Sequence, residues 1–262
     1  MADVSLEAVA EVAAEAGVLA LELSRGDYEV WEKTPGHKVC DADIAVDKLL
    51  RERLSAIDPE AGFLSEESLD DATRLDAPRL WVVDPIDGTR DFIRGRSGWC
   101  VSIALVEVGE PVIAALEAPA RNERFLAAAG QGATLNGARI RVSDRTDYDG
   151  ARLPIDEMPK AIRNLVAVEK PNSIALRIAM VASDRADIVA STRWGGEWDI
   201  AAAALIAAEA GAKVTDAFGK PFSFNKPEAE AFGLAVAPFG IHAKLLERIR
   251  EQADKDAARN NR

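Results

Sequence analysis

The residues best suited to catalysis lie in one short segment, 80–89, in which an apolar run is followed by two aspartates and a Gly-Thr step. Leu80 to Val83 predict a short buried strand that stops at Asp84, and Asp87 follows soon after. Two carboxylates at the mouth of a strand suit a hard divalent cation, which prefers oxygen ligands. The Gly88-Thr89 step offers backbone N–H groups to an anion. A cation site beside an anion site indicates phosphoester chemistry.

Short motifs of this kind also arise without a function. Asp-Pro and Asp-Gly steps favour turns, so a strand followed by two turns would contain the same residues. Two further motifs lie elsewhere in the chain, Ser65-Glu66-Glu67 upstream and Glu197-Trp198-Asp199 downstream. Each motif alone can be explained without a function, the first as an exposed acidic turn and the second as a charge at a helix N-terminus. Each motif alone therefore leaves both interpretations open.

The three motifs together resemble the signatures of the inositol monophosphatase superfamily of magnesium-dependent, lithium-sensitive phosphomonoesterases. The stretch between them resembles the family as well, at Gly130-Gln131-Gly132-Ala133, Asn136-Gly137 and Ser143. The resemblance extends from about residue 40 to about residue 240. It implies the layered α/β sandwich (α-β-α-β-α) of this superfamily. An α+β part would span residues 1–145 and an α/β part residues 146–262, with the active site at the seam between them.

The resemblance also implies roles for individual residues. The implied metal ligands are the carboxylates of Glu66, Asp84, Asp87 and Asp199 and the backbone carbonyl of Ile86. The implied catalytic residues are Thr89, Asp43 and Glu66, and the implied substrate-binding residues are Asp87, Gly88, Thr89 and Asp199. The implied cofactor is Mg²⁺, as two or three ions, with Mn²⁺ as a substitute and Li⁺ or Ca²⁺ as inhibitors.

This residue set suits the hydrolysis of a phosphate monoester. The dianionic ester repels a nucleophile, and Mg²⁺ ions would neutralise it and activate a water for in-line attack. By resemblance, Thr89 is expected to hydrogen-bond that water and to pass its proton to Asp43. The backbone N–H groups of Gly88 and Thr89 are expected to hold the phosphate oxygens.

Three residues near the motifs have open assignments. Lys33, in a predicted loop, is a weaker candidate for closing over the phosphate, since loop lysines are more often solvated. Cys40 stands where the family commonly has a threonine, which leaves the hydrogen bonding around Asp43 open. Asp47 lies on the same predicted helix face as Asp43 and is expected beside the site or at the surface.

Other positions bear on which phosphate ester is the substrate. Arg90-Asp91-Phe92 resembles 3′(2′),5′-bisphosphate nucleotidases of the sulfur-assimilation type, whereas inositol monophosphatases usually have a neutral residue before Asn-Phe. Ser65 and the segment 219–225 also resemble the nucleotidase-like bacterial branch. Thr192 falls where inositol monophosphatases tend to have a glutamate that contacts the sugar ring. The preferred substrate is therefore adenosine 3′,5′-bisphosphate. Inositol 1-phosphate is the first alternative, histidinol phosphate the second and a non-catalytic relative the third.

Composition excludes several other classes of protein. The 262 residues carry a formal net charge of −12, whereas nucleic-acid-binding surfaces are basic. The two cysteines, Cys40 and Cys100, and the two histidines are too few for a disulfide framework, a zinc site or a serine triad. No apolar run approaches the ~20 residues of a membrane span. We expect a cytoplasmic homodimer that binds a small phosphorylated substrate, with no nucleic acid polymer and no membrane as partner.

Periodicity predicts the elements that would position these residues. Helices are predicted at 3–24, 43–54, 173–181, 198–210 and 242–252. Strands are predicted at 62–64, 80–83, 99–118 with a reversal near 108–111, 124–129, 138–142, 188–190 and 234–237. A loop or loose hairpin is expected at 25–42, a domain crossover at 143–159 and a frayed terminus at 253–262.

Overall fold

The computed structural model describes residues 4–34, 37–159 and 162–260, which form six α-helices and fourteen β-strands. The helices are α1 (Leu6–Leu23), α2 (Asp41–Ile57), α3 (Thr89–Ile93), α4 (Ile174–Ala182), α5 (Glu197–Glu209) and α6 (Phe239–Asn260). The strands are β1 (Val30–Thr34), β2 (His37–Cys40), β3 (Gly62–Ser65), β4 (Arg79–Asp87), β5 (Cys100–Glu107), β6 (Glu110–Ala118), β7 (Glu123–Ala128), β8 (Gly132–Leu135), β9 (Ala138–Ile140), β10 (Arg152–Pro154), β11 (Val166–Val168), β12 (Val189–Gly196), β13 (Ala212–Thr215) and β14 (Glu230–Pro238).

The larger of the two main sheets has seven strands in the order β3-β4-β5-β6-β7-β8-β9. Only its first pair, β3 and β4, is parallel, and every later neighbour is antiparallel. Strand β4 is buried along its whole length, which explains its continuous apolar run. Leu80 and Val82 face one core cluster and Trp81 and Val83 the other, so both faces of the sheet are covered.

Helices and sheets stack in five layers. On one face of the large sheet, Val9 of α1 and Leu50 of α2 belong to a core cluster with Ile103 of β5. The alanine-rich helix α5 covers the other face with α4 and also packs against the second sheet, whose order is β12-β14-β13. Helix α6 packs on the far side of that sheet, where Leu245 joins a third cluster with Ala235. This α-β-α-β-α arrangement confirms the predicted fold class.

The predicted division between residues 145 and 146 stays a prediction. The two main sheets do separate along the chain, since the first ends at Ile140 and the second begins at Val189. Helix α5 nevertheless contacts strands of both sheets, so the two halves share a core layer. Among the described residues, no helix combines the length and the apolar character that a bilayer crossing requires.

The sequence predictions differ from the structure in three respects: the end of strand β4, the state of the C-terminal segment and the number of short strands. Strand β4 does not stop at Asp84 but continues to Asp87 through a bulge. The terminus beyond residue 253 is not frayed over its described part, since α6 continues to Asn260 and buries Ala253 completely. The short strands β8, β10, β11 and β13 were not predicted, because runs of three or four residues carry too little periodicity.

Candidate active site

The bulge in β4 arranges the central motif. Asp84 pairs with Ser102 and Asp87 with Cys100, so three steps along β4 oppose two along β5. In an unbroken strand Asp84 and Asp87 would point to opposite faces, and the extra residue allows both to reach the same cavity. Pro85 falls within this break, where no ladder hydrogen bond is required of it. The Asp-Pro step is therefore part of the strand rather than a turn after it.

Three carboxylates from three different elements converge at this strand end. Oxygen atoms of Glu66, after β3, of Asp84, in β4, and of Asp199, in the first turn of α5, all lie within 4.8 Å of one another. Asp84 is almost completely buried, and its Oδ1 accepts a hydrogen bond of 3.0 Å from the backbone N–H of Ile86. The structure thus brings together residues that are far apart in sequence.

Helix α5 is fixed at both ends, which positions Asp199. At its start, Asp199 accepts a hydrogen bond of 3.0 Å from Gly196 N–H, and the buried Glu197 accepts one of 2.7 Å from Asn225 N–H. At its end, Glu209 accepts hydrogen bonds from the backbone N–H groups of Gly130 and Gly132, at 2.8 and 2.6 Å. The Gly-Gln-Gly motif therefore has a structural role, as the turn that holds α5 against the large sheet.

Burial and mutual repulsion raise the pKa values of the clustered carboxyl groups. Burial, and then the negative charges of Asp199 and Glu67, raise the pKa of Glu66 to about 8. Burial and the charge of Asp87 raise the pKa of Asp199 to about 7. Burial and the charge of Glu66 also raise the pKa of Asp84 well above its usual value. Without a cation the cluster therefore favours protonation, and a bound cation would remove the repulsion.

The donor set fits a hard divalent cation. Every side chain in the cluster is a carboxylate, and no cysteine or histidine belongs to it, which disfavours a soft metal. Three converging carboxylates suffice for Mg²⁺, because that ion keeps several of its waters. Glu66, Asp84 and Asp199 are the residues that could hold it.

Asp87 lines the same cavity but is bound differently. Its carboxylate accepts hydrogen bonds from the hydroxyl of Ser173, from Ala175 N–H at 2.7 Å and from Ile174 N–H at 3.3 Å, at the start of α4. Burial raises its pKa, and these hydrogen bonds oppose that rise. Asp87 therefore ties the large sheet to α4, in addition to any contact that it makes in the cavity.

Thr89 and Asp43 also meet in the structure. The Thr89 hydroxyl can donate to Asp43 Oδ1, at 3.3 Å, and lies 3.1 Å from the carbonyl oxygen of Ile86. Asp43 Oδ2 accepts hydrogen bonds from the thiol and the backbone N–H of Cys40, at 3.0 and 2.8 Å. Cys40 thus supplies the hydrogen bond that sequence reasoning left open. Burial and the adjacent Asp43 charge raise the pKa of this thiol to about 12, so it stays protonated and can donate.

Gly88 is required at its position by both conformation and space. It caps the short helix α3 with a φ of 100°, in the region that favours glycine. A Cβ atom there would lie 2.7 Å from the carbonyl oxygen of Gly98 and 2.9 Å from the backbone nitrogen of Ser173. The backbone at the cavity floor can therefore approach its neighbours as closely as it does only with glycine.

The turn that carries Glu66 is held by Asp47 and Lys33, whose specific contacts with it the sequence did not predict. Asp47, buried on α2, accepts hydrogen bonds from the hydroxyls of Ser65 and Ser68, on either side of the Glu-Glu pair. Lys33 donates to the carbonyl oxygen of Glu66 and forms an ion pair of 3.1 Å with Glu67. In this structure the Lys33 ammonium therefore binds the turn. The spacing of Asp43 and Asp47 on one helix face was the signal for the role of Asp47.

Two adjoining cavities open at the cluster. The smaller, of about 360 Å³, contains Glu66, Asp84, Asp87 and the Gly88-Thr89 step. The larger, of about 610 Å³, lies between α4 and the second sheet. Both are lined by Ile174, Arg177, Arg193 and Asp199. The smaller cavity contains the carboxylate cluster and is also lined by Lys38 and Arg90, whereas the larger one has three basic residues, Lys170, Arg177 and Arg193, and one carboxylate, Asp199.

The arginines of this second cavity are the candidate binding residues that sequence reasoning missed. Arg177, half-buried on α4, donates to the carbonyl oxygens of Ser173 and Asn172 at 3.2 and 3.0 Å, which fixes its guanidinium at the junction. Burial lowers its pKa, and the charge of Asp87 opposes that change. Arg193 and Trp194 project from β12 and are exposed. Only the contacts between distant segments reveal these residues, so no local pattern predicts them.

Asp91 is placed away from the cavities. The residue is buried, and its Oδ2 accepts a hydrogen bond of 3.0 Å from Asn172 N–H. A Cβ atom on Gly98 would lie 2.1 Å from the same oxygen. Of the Arg90-Asp91-Phe92 triplet, Arg90 alone lines the smaller cavity. The acidic member of the triplet thus joins two loops.

Comparison with known proteins is consistent with this site. The family model described as the inositol monophosphatase family matches residues 2–255. The fructose-1,6-bisphosphatase/inositol-1-monophosphatase of Thermotoga maritima is 34% identical over 240 residues, which cover 86% of this chain and 88% of that protein. The Nus factor SuhB of Xylella fastidiosa is 38% identical over 192 residues, with 67% and 68% coverage.

Solved structures agree in fold. The inositol monophosphatase of Thermotoga maritima superposes with a TM-score of 0.83 at 27% identity, covering 96% of this chain and 98% of that one. The extragenic suppressor protein SuhB of Bartonella henselae gives a TM-score of 0.82 at 29% identity, with 92% and 96% coverage. Family members are generally metal-dependent and bind small phosphorylated substrates. The chain belongs to the inositol monophosphatase family and is a phosphatase that hydrolyses phosphate monoesters.

Proposed function

We propose that this phosphatase uses Mg²⁺ and prefers a substrate with a second anionic group, and specifically that it hydrolyses adenosine 3′,5′-bisphosphate to AMP and phosphate. The observation that supports this proposal is the basic cavity beside the acidic cluster. Arg177 and Arg193 line both cavities, so an anion in the larger one would lie next to the scissile phosphate. A second anionic group would in addition use Lys170, which lines the larger cavity alone.

The balance of charge in the larger cavity supports an anionic occupant. Its three basic residues face one lining carboxylate, Asp199, which is needed for the cation site. Lys170 pairs with the exposed Asp156 at 2.7 Å, so its charge is partly compensated. The Arg193 side chain is exposed and can therefore reach a ligand. Its charge also acts on Asp256, whose pKa is lowered by the hydrogen bonds from Thr192 and Gln252 and then by the charges of Arg259 and Arg193.

The same wall offers an aromatic surface. Trp194 lines the cavity, and its side chain is 49% exposed. An exposed indole can stack on a planar base, and such stacking contributes about 1–3 kcal/mol per base in single-stranded nucleic acids. The relative from Thermotoga maritima is named for a bisphosphate as well as for inositol 1-phosphate, so the family scaffold is associated with doubly phosphorylated substrates. Cations together with an indole favour a nucleotide over a sugar bisphosphate.

Each step of the phosphate ester hydrolysis would depend on particular residues of this chain. When bound at Glu66, Asp84 and Asp199, Mg²⁺ ions would supply charge neutralisation and a water of lowered pKa. Thr89 would hold that water through its hydroxyl and direct the proton to Asp43 Oδ1, 3.3 Å away. Burial raises the pKa of Asp43 to about 6, so this carboxylate is ionised yet basic at neutral pH. The N–H groups of Gly88 and Thr89 would hold the phosphate oxygens.

Hydrolysis of inositol 1-phosphate is the second candidate, and the names of relatives favour it. The Thermotoga maritima relative and one from Rhizobium meliloti are named inositol-1-monophosphatases. Against it, Thr192 lines the larger cavity at the position where inositol monophosphatases tend to have a glutamate that contacts the sugar ring. Histidinol phosphate stays the third alternative. We further propose inhibition by Li⁺, a homodimeric state and a cytoplasmic location, as the family resemblance implies.

A substrate panel tests the proposal. Phosphate release would be measured with Mg²⁺ for adenosine 3′,5′-bisphosphate, inositol 1-phosphate and histidinol phosphate, with a chelator and with Li⁺ as controls. We expect kcat/KM for the bisphosphate to exceed that for inositol 1-phosphate by about 10-fold or more, in line with one additional charge-assisted contact. Faster turnover of inositol 1-phosphate would refute the nucleotidase assignment.

A charge variant separates the cavity's role from the general chemistry. Arg193→Ala should raise KM for the bisphosphate by about 10-fold, because one charge-assisted contact is lost. It should affect inositol 1-phosphate much less. The matched control is Arg141→Ala, since Arg141 is exposed and lines neither cavity. Equal effects of Arg193→Ala on both substrates would contradict a second anion site.

A further inference from the structure

The wall of the larger cavity contains a second bulge. Along β12, Ser191 pairs with Leu234 and Trp194 with Phe232, so three steps on β12 oppose two on β14. The extra residue lies within Thr192-Arg193, and β12 is an edge strand of its sheet. A bulge beside an active site re-aims a side chain. Here it presents Arg193 to both cavities.

The last turns of α6 bind this bulge. The hydroxyl of Thr192 donates a hydrogen bond of 2.6 Å to Asp256 Oδ2. Gln252, one turn earlier on α6, donates to both oxygens of the same carboxylate, at 2.8 and 2.9 Å. Arg259 lies 3.8 Å from it, and the Asp256 side chain is 21% exposed. The carboxylate is thus oriented from its own helix and binds the bulge at Thr192, the residue before Arg193.

A second contact reaches the same wall through aromatic rings. Arg250 of α6 lies over the ring of Phe218, 5.2 Å from its centroid. Phe218 stacks on Phe232 at 5.5 Å, and Phe232 meets Trp194 edge-on at 5.4 Å. Trp194 is the residue directly after the bulge and lines the larger cavity. Helix α6 therefore supports both ends of the short segment from Thr192 to Trp194.

These contacts require that the end of α6 stays folded. Ala253, between the two contact points, is completely buried. Further back, the His242 ring is buried and lies within hydrogen-bond distance of Thr215 Oγ1, at 3.1 Å, and of the Ala235 carbonyl oxygen, at 3.2 Å. Helix α6 is thus anchored to the second sheet along most of its length.

We propose that the C-terminal turns of α6 form the back of the substrate pocket, and that Asp256 is a positioning residue that holds the Thr192-Arg193 bulge in its binding conformation. The proposal rests on the proposed function in one respect, that the larger cavity holds the part of the substrate away from the scissile phosphate. An arginine on an unsupported edge bulge would lose rotamer and backbone freedom on each binding event. A bulge fixed in advance by Asp256 avoids that loss.

Three variants test the proposal by their selectivity. Asp256→Asn and Thr192→Val remove the charge-assisted hydrogen bond, and Thr192→Ser restores the hydroxyl. Adenosine 3′,5′-bisphosphate would be compared with glycerol 2-phosphate, whose small leaving group does not fill the larger cavity. We expect Asp256→Asn and Thr192→Val to raise KM for the bisphosphate about 5- to 10-fold with kcat nearly unchanged. The KM for glycerol 2-phosphate should change much less, and Thr192→Ser should behave as the unmodified protein.

Binding without turnover gives an independent measurement. Calorimetric titration with AMP, the proposed product, should show the same 5- to 10-fold weakening for Asp256→Asn. The matched control is Glu251→Gln, since Glu251 lies on the exposed side of α6 and pairs only with Lys255 among the described residues. A fall in melting temperature with equal losses for both substrates would show a purely structural role and overturn the proposal, as would unchanged KM values.

The two proposals can fail separately. If the unmodified protein prefers inositol 1-phosphate, the nucleotidase assignment fails, and the variants are then compared on inositol 1-phosphate against glycerol 2-phosphate. A selective rise in KM for the larger substrate would still support the positioning role of Asp256. If instead the bisphosphate is preferred but Asp256→Asn is not selective, the proposed function stands and the role of Asp256 is refuted.

Discussion

The two cavities that meet at Asp199 are built on the same local device but differ in charge and in support. Each depends on a strand with one extra residue: β4 carries part of the carboxylate cluster, here called the acidic side, and β12 carries Arg193, here called the basic side. Strand β4 lies inside a seven-stranded sheet and is buried throughout, whereas β12 is an edge strand with exposed side chains. The acidic side is therefore held by the core of the protein, and the basic side by side-chain contacts.

This difference suggests a division of labour. A rigid acidic centre suits the part of the reaction that every phosphate ester shares, because the cations and the attacking water must be placed accurately. An edge strand supported from a separate helix can change without disturbing the core, which suits recognition of the variable part of the substrate. The comparison predicts that changes on the acidic side lower turnover of all substrates, and that changes on the basic side are selective.

The strongest test of the acidic side is Asp84→Asn. The change keeps the shape of a completely buried side chain but removes one of the three clustered carboxylates. We expect turnover of every phosphate ester to fall by about 10³-fold or more, since several kcal/mol of charge stabilisation depend on the cation site. The melting temperature without metal should rise, because a repelling buried charge is removed.

Phosphate release and calorimetry on the same preparation check both parts. Exposed Asp254→Asn is a suitable control, since Asp254 pairs only with Arg250 among the described residues and lies outside both cavities. Turnover by Asp84→Asn within 10-fold of the unmodified protein, or a loss confined to one substrate, would contradict the division of labour.

A smaller effect is expected when the acidic side is disturbed indirectly. Asp47→Ala leaves all three clustered carboxylates in place but removes the acceptor for the Ser65 and Ser68 hydroxyls. We expect Mg²⁺ affinity to fall about 10- to 100-fold, as is typical when a group that orients a metal ligand is lost. Turnover should recover at saturating Mg²⁺ and should be affected equally for all substrates.

Titration of activity with Mg²⁺ measures this change directly. Glu52→Ala is the matched control, because Glu52 is exposed on the same helix as Asp47. An unchanged Mg²⁺ requirement in Asp47→Ala would show that the Glu66 turn is held without these hydrogen bonds.

The sequence predicted the acidic side far better than the basic one, for physical reasons. The carboxylates of Glu66, Asp84 and Asp199 each belong to a local sequence motif, and these motifs occur in the order of the family they resemble. The bulge in β4 escaped prediction, because the Asp-Pro step has the same composition as a turn. Its effect on the position of Asp87 is visible only in the pairing with β5.

The basic side depends on contacts between segments far apart in the chain. Arg193 and Asp256 belong to a strand and a helix whose local patterns gave no sign of a shared site. The polar composition of the last turns even suggested fraying, which the burial of Ala253 contradicts. Asp91 is a different case, since the triplet next to the motif resembles that of nucleotidases although the Asp91 carboxylate binds a neighbouring loop and lines neither cavity.

The smallest predicted effect is a pH dependence that distinguishes the acidic centre from the rest of the protein. The pKa values of Glu66 and Asp199 are raised to about 8 and about 7 in the fold, whereas in the unfolded chain these groups titrate near 4. Between these limits the folded state binds more protons than the unfolded state, so stability falls as pH rises. Metal-free protein should therefore melt about 5 °C lower at pH 8.5 than at pH 5.5. Saturating Mg²⁺ should reduce this difference, since bound cations favour the ionised carboxylates that the higher pH produces.

Melting curves at the two pH values, with chelator and with Mg²⁺, measure both effects. The melting temperature of Asp84→Asn should depend less on pH, because one repelling charge is absent. A metal-free melting temperature that rises over this range would mean that the acidic cluster does not control the pH dependence. The repulsion inferred at the junction of the two cavities would then be wrong.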